Sequence, residues 1–309
     1  MREKIMPVAM LKKEVISIDD KTRFEEFLKI TPHVLSVYNF ANIFIWRKIF
    51  DIFFCMIGEN LCIFFKNKYD CFMYLSPQGK HISQDVLDEC FAIMDSFNLN
   101  KQNSRIENIE AENVDFYRTA GFSVYEKYPD YVYLRSDLAN LKGDRFKSKR
   151  AGCNYFYKHY RSEYLPVDVN RKDDCISLCR LWMQNCKKTN SDYIYQSLLD
   201  DTFLVQTELI GNFDKLGVIG RMVEIDNKIQ AYSFGYELNK ETFCIIFEVS
   251  NKSYKGISQF IFREFCRELS QYKYINIMDD SGLVNLQKTK LSYRPFKQVP
   301  NHIIRRMDG

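Results

Sequence analysis

Histidine is scarce, with four residues, at 33, 81, 159 and 302, in a chain of 309. None belongs to an HExxH pair, so zinc-peptidase chemistry lacks its ligands. Neither a Walker loop nor a GxSxG elbow occurs, which sets P-loop and serine-hydrolase chemistry aside. Long uncharged runs are missing too. The most apolar stretch, VYNFANIFIWRKIFDIFFCMIG at 37–58, is broken by Asn39, Asn42, Arg47, Lys48 and Asp51, whereas a membrane span needs about 20 nearly uncharged residues. No transmembrane helix is expected. The opening MREKIMPVAMLKKEV is charged too early and too often for a secretory leader.

Ten cysteines are present, but no CxxC pair. Most sit inside apolar runs such as DIFFCMIG and ETFCIIFEV, which reads as reduced core cysteine in a cytoplasmic setting. Cys175 and Cys179, four apart beside Leu178, Leu181 and Trp182, read as helix core, not a metal clamp. Hydrophobic content of 46% with 27% charged residues is that of a globular protein. The length suits two domains. A net charge of +4 means that any anion-binding surface is a local patch.

One pattern occurs twice. AGFSVYEKYPDYVYLR and KLSYRPFKQVPNHIIRR each place a proline (Pro129, Pro300) seven positions after an aromatic (Phe122, Tyr293), and an arginine (Arg135, Arg306) thirteen positions after it. The segments at 70–94 and 242–269 also both run from an apolar strand, through a polar turn with a glycine, into a helix. Ile82-Ser83-Gln84 matches Ile257-Ser258-Gln259. Apolar periodicity predicts strands at 61–65, 71–75, 105–109, 217–225, 229–238, 242–249 and 274–278, and helices at 83–97 and 257–270. Asp226-Asn227 marks a hairpin tip. The reading is an α/β (α+β) chain built from two copies of one unit, with boundaries 1–140 and 141–309 and a polar, basic connector at 142–150.

The order strand, turn, helix, strand, short helix and terminal aromatic resembles the GCN5-related acyltransferase (GNAT) fold, here in tandem. Three motifs narrow the resemblance: Ser36-x-Tyr38-x-Phe40-x-Asn42-x-Phe44-x-Trp46-Arg47, Lys149-Arg150-x-x-x-Asn154-x-Phe156, and Leu286-x-Lys288-x-Lys290-Leu291-Ser292-Tyr293-x-Pro295. Together they resemble the soluble relatives of the phosphatidylglycerol lysyltransferase C-terminal domain (DUF2156-like), over nearly the whole chain. The resemblance implies a tandem acyltransferase fold whose membrane-bound members move an amino acid from aminoacyl-tRNA to a lipid head group. Two positions depart from the pattern: Ala151 stands where asparagine is expected, and Ile277-Met278 where a charged pair is expected.

Candidate site residues follow. The stretch KGDRFKSKR carries Lys142, Arg145, Lys147, Lys149 and Arg150 against one acidic residue, with Phe146, Tyr155, Phe156 and Tyr157 interleaved. Such cations form charge-assisted bonds to phosphate oxygens of a donor, tRNA or coenzyme A; the plainer reading is a solvated linker. The turn SNKSYKGISQF offers Tyr254, Lys255 and Gly256 at a helix start, where backbone N–H groups suit a pyrophosphate. SPQGKHISQ, with only Gly79 and a proline, is expected to hold no nucleotide. Lys288, Lys290 and Tyr293, with Asn154, complete the donor-binding set. Acyl transfer needs a base and an oxyanion site. Glu248, on a strand just before the turn, and Asp279-Asp280, at the end of YINIMDD, are candidate bases or ammonium binders; helix capping is the structural alternative for the aspartates.

The expected function is transfer of an aminoacyl or acyl group, from aminoacyl-tRNA or acyl-CoA, to a small amine or hydroxyl acceptor, with no cofactor assigned and no DNA partner. The alternative is a non-catalytic binding protein that kept a degenerate tandem fold.

Overall fold

The computed structural model describes residues 12–307; residues 1–11, most of the stretch read above as no leader, lie outside them. The chain divides into two compact units, Met1–Pro129 with Val299–Gly309, and Asp130–Gln298.

In the first unit, β1 (Glu14–Val15), α1 (Lys21–Leu28) and α2 (Phe40–Phe44) precede β2 (Asp51–Ile57), β3 (Asn60–Lys66) and β4 (Cys71–Met73). The strands pair antiparallel in chain order. Next come α3 (Gln84–Phe97), β5 (Ile106–Glu110), α4 (Val114–Thr119) and the long strand β6 (Phe122–Leu134). Ser83 starts α3 by accepting a hydrogen bond from Val86 N at 3.3 Å, as a helix N-cap does. Val86, Leu87, Cys90, Phe91, Ile93 and Met94 then form its buried stripe. β5 lies parallel to β4.

The second unit opens with α5 (Arg135–Asn140), α6 (Lys147–His159), β7 (Glu163–Pro166), α7 (Lys172–Thr189) and α8 (Tyr193–Leu216). Then the order of the first unit returns: β8 (Ile219–Ile225), β9 (Lys228–Asn239), β10 (Thr242–Ser250), α9 (Ile257–Glu268), β11 (Tyr274–Asn276), α10 (Val284–Leu291) and β12 (Lys297–Arg306), whose residues from Val299 on belong to the first unit. β7 to β10 are antiparallel and β11 is parallel to β10. Asp226 and Asn227 both take positive φ, 51° and 59°, the primed hairpin turn their side chains tolerate. Phe243, Phe265, Cys266, Tyr272 and Ile275 centre the core under α9. Cys175 and Cys179 are fully buried on α7.

The repeat therefore has a structural counterpart, β2-β3-β4-α3-β5-α4-β6 against β8-β9-β10-α9-β11-α10-β12. Its closing strands are exchanged. The end of β6 pairs with β11 (Val132↔Asn276, Leu134↔Tyr274), while β12 pairs with β5 (Asn301↔Glu110). The units part at Pro129/Asp130 and at Gln298/Val299, beside the two repeated prolines, which have no N–H to give a ladder. This differs from the sequence boundary at 140/141, because the pairing partners of the closing strands lie far away in the chain. Nor is 142–150 a solvated linker. Asp144–Phe146 is a 3-10 turn, α6 begins at Lys147, and Phe146 is fully buried.

Candidate functional site

β10 and β11 pair over three positions, Thr242↔Tyr274 to Cys244↔Asn276, and then part. On β10 the register against β9 shifts between Ile245 and Phe247, a bulge that bends the strand. Beyond β11 the chain follows β6 instead: Ile277 N donates to Tyr131 O at 3.0 Å and Tyr131 N to Met278 O at 3.1 Å. Lys290 fixes that bend. Its Nζ donates to Ile277 O at 2.6 Å, to Met278 O at 3.1 Å and to Asp279 O. An ammonium has three N–H donors, and all are used. Only 7% of Lys290 is exposed, and burial lowers its pKa. Lys290, expected to grip a donor, is thus a buried clamp on the 277–279 bend.

The paired aspartates are engaged in the same turn. Asp280 is buried; its Oδ2 accepts from Tyr131 Oη at 2.6 Å and its Oδ1 from Gly282 N at 2.9 Å. Asp279 Oδ1 accepts from Ser281 N at 2.7 Å. Two residues named as candidate bases therefore shape the loop, as side-chain oxygens of aspartate do in tight turns.

Glu248 is different. It is half-buried on β10, and its Oε2 is sealed from solvent with no hydrogen-bond partner. Burial alone pushes its carboxyl up to about 8, since removing water disfavours the charged form. Its charge in turn helps burial to raise the Cys266 thiol and the Tyr293 phenol. Tyr293 is buried, edge-on to Phe262 with ring centroids 5.0 Å apart. Lys149, half-buried at the start of α6, holds its Nζ 4.2 Å from the Tyr293 centroid, and burial lowers its pKa. The structure brings Glu248, Tyr293 and Lys149 into one neighbourhood.

The remaining candidates are dispersed. Lys142, Lys147, Asn154 and Lys288 are exposed. Arg145, also exposed, pairs with Asp137 at 2.7 Å. Arg150 donates to Gly143 O at 3.0 Å and to Leu141 O, tying the turn that leads into α6. Tyr254 meets Tyr160 edge-on at 5.2 Å, and Lys255 lies over the Tyr155 ring at 4.6 Å. Gly256 (φ 89°) precedes α9, and a Cβ there would stand 2.1 Å from Gly152 O. Its lack of a side chain serves the close approach of α6.

At the matching place in the first unit, polar groups are paired off. Tyr74 Oη donates to Asn42 Oδ1 at 2.8 Å, Ser76 Oγ and Tyr117 Oη lie 2.5 Å apart, and Asn108 Nδ2 donates to Tyr74 O at 2.9 Å. Tyr38 Oη donates to Asn108 O at 2.8 Å. The Ser36 to Arg47 motif thus supplies Tyr38 and Asn42 to a buried network. Gly79 packs on Asn60, whose Oδ1 would lie 2.3 Å from a Cβ.

One polar residue beside Glu248 escaped sequence reading. Ser233 on β9 is fully buried, and its Oγ lacks a partner. A hydroxyl in the middle of the apolar run IQAYSFGYEL was the available signal.

A profile of the family described as phosphatidylglycerol lysyltransferase, C-terminal, matches residues 29–305. The chain belongs to that family. A search of curated protein sequences found no match. Among solved structures, a conserved protein of unknown function from Bacteroides thetaiotaomicron is 29% identical, with a TM-score of 0.83 over 96% of this chain and 99% of that one. L-PGS from Bacillus licheniformis is 16% identical, with a TM-score of 0.62 over 94% of this chain and 93% of its own. A tandem GNAT protein from the clavulanic acid biosynthesis pathway is 9% identical, with a TM-score of 0.50 over 95% of this chain and 98% of that one. The fold of this phosphatidylglycerol lysyltransferase C-terminal family member is a tandem GNAT-like α/β fold. Among the described residues, no helix is long and apolar enough to cross a membrane.

Proposed function

We propose that the chain is a transferase that moves an aminoacyl or acyl group from an activated donor to an amine or hydroxyl acceptor where β10 and β11 part. One observation carries this reading: Glu248 presents a buried, unpartnered carboxylate oxygen there, and its pKa near 8 suits proton transfer at neutral pH. Family membership supports it. In the reaction, the acceptor gives a proton to Glu248 as its nitrogen or oxygen bonds to the donor carbonyl carbon. The donor's C–O or C–S bond breaks, and the proton passes to the leaving oxygen or sulfur.

For the donor, the contact between Gly152 and Gly256 favours aminoacyl-tRNA over acyl-CoA. A carbonyl oxygen of α6 lies against the start of α9, where a coenzyme A pyrophosphate would need N–H donors and no competing negative dipole. Lys149 holds a donor phosphate or ester, and the exposed Lys142, Arg145 and Lys147 lie near it in sequence for the outer phosphates.

The test is a thermal-shift screen of the full chain against coenzyme A thioesters and charged tRNA, since a ligand of the native state raises its melting temperature. Turnover is then assayed with Glu248→Gln. Stabilisation by charged tRNA and loss of transfer in the variant are expected. Stabilisation by thioesters alone reverses the donor assignment, and equal transfer by the variant removes Glu248 from the mechanism. The binding-protein alternative draws on the structural use of Lys290 and Asp280, and it predicts donor binding without turnover.

A further inference from the structure

Ser233 on β9 is the direct cross-strand partner of Glu248 on β10, so both side chains leave the same face of the sheet. Ser233 Oγ and Glu248 Oε2 are each buried without a hydrogen-bond partner. Leaving a buried group unpaired is costly, and folded interiors tolerate few of them. Here two stand side by side.

Two of the cations nearby in the fold are engaged elsewhere; a third, Arg135, acts on the same Cys266 thiol as Glu248 and keeps a buried Nε without a hydrogen-bond partner. Arg221 on β8, the register partner of Ser233 on its other side, gives its Nε to Glu268 Oε2 of α9 at 2.7 Å. Lys149 sits over Tyr293. Among the described residues no lysine or arginine forms an ion pair with Glu248. What this pair of atoms lacks is therefore a small group bearing both N–H donors and positive charge. An alcohol brings one donor and no charge. A quaternary ammonium brings charge and no donor. A primary ammonium brings both.

We infer that Ser233 Oγ and Glu248 Oε2 form a two-acceptor slot for a protonated primary amine, and that the acceptor of the transfer reaction is an amine, not an alcohol. The inference rests on the reading of Glu248 as the base and adds Ser233 as the residue that positions the nitrogen. The ammonium enters with three protons. One passes to Glu248, leaving the neutral amine whose lone pair forms the C–N bond as the donor's C–O bond breaks. Glu248 releases that first proton to solvent, takes a second from the nitrogen as the bond forms and passes it to the departing oxygen, and the third stays on the amide.

The test uses the full chain and n-butylamine as probe, with n-butanol and butyltrimethylammonium as controls, read by calorimetric titration. The amine should bind saturably and both controls at least about tenfold more weakly, the factor a charge-assisted hydrogen bond supplies. Ser233→Ala should weaken amine binding about tenfold and Glu248→Gln should abolish it. Ser233→Ala removes an unpartnered hydroxyl, so its melting temperature should not fall, and weakened binding cannot then be blamed on unfolding. Equal binding of butanol, or unchanged amine binding by Ser233→Ala, overturns the slot. So does a crystal structure grown with the amine in which a water, and not the amine, bridges the two atoms. Amine binding in this pattern without turnover of any donor leaves the slot standing and removes the transferase reading. Transfer to an alcohol, undiminished in Ser233→Ala, removes the slot and leaves the transferase reading standing.

Discussion

Lys149 holds its ammonium 4.2 Å from the centre of the Tyr293 ring, so a half-buried cation faces an aromatic surface instead of a carboxylate. Such a cation is held in place yet keeps N–H donors for an anion. Lys149→Ala should weaken donor binding about tenfold, the worth of one charged hydrogen bond, and raise KM more than it lowers kcat. Titration of the donor against both proteins checks this; equal affinity removes Lys149 from the donor site.

Glu248 makes the reaction and the stability depend on pH in opposite directions. Transfer should rise with pH and level off above about 8, where the carboxylate is ionised. The folded pKa lies above the ordinary value of 4.5, so between those values the folded state holds a proton that the unfolded chain has lost. Stability from this group is fully present below about pH 4, declines as pH rises towards 8, and is flat beyond it. Glu248→Gln should remove that slope and raise stability at pH 8, because no charge is then buried there, while transfer falls at least about 100-fold. Urea melts from pH 5 to 9, beside rate profiles, measure both.

Lys290 and Lys288 lie two residues apart on α10 with opposite expectations. Lys290→Met leaves three backbone carbonyls without their donor and should cost about 3 kcal/mol or more. Lys288→Ala, at an exposed position, should change stability by no more than about 0.5 kcal/mol. Chemical denaturation of the two variants decides; equal small effects would show that the clamp on 277–279 contributes little.

Gly256→Ala and Gly121→Ala separate backbone strain from helix contact. Both glycines have φ near 90°, but a Cβ meets nothing within 4 Å at Gly121 and stands 2.1 Å from Gly152 O at Gly256. Gly121→Ala should cost about 1 kcal/mol from the positive φ alone, and Gly256→Ala clearly more, because α6 must shift. Melting temperatures of the pair give the comparison.

The order of elements was readable because its signals are local: apolar alternation on the strands, Ser83 before α3, Asp226-Asn227 at a hairpin. Glu248, Tyr293 and Lys149 were also named from their positions beside strand ends and motifs. What stayed hidden depends on distant partners. Lys290 reads as a surface lysine until the carbonyls of 277–279 are brought around it. Ser233 gains meaning only from the β9–β10 register that sets it against Glu248. The run 142–150 reads as a linker because its charges outnumber its one apolar residue, Phe146, which anchors the turn while Cys153 and Phe156 further on anchor α6. The unit boundary was missed because strand exchange joins residues nearly 200 apart, such as Glu110 and Asn301, and no local pattern marks such a pairing.

That pairing orders events on the ribosome. β5 cannot receive its antiparallel neighbour until residues 301–304 have been synthesised, so the unit begun first is among the last to be finished. Until then β5 keeps an unpaired edge, the kind of surface that attracts other strands. A nascent chain stalled short of residue 299 would display an incomplete amino-terminal unit, while the β6–β11 pairing of the second unit is already available.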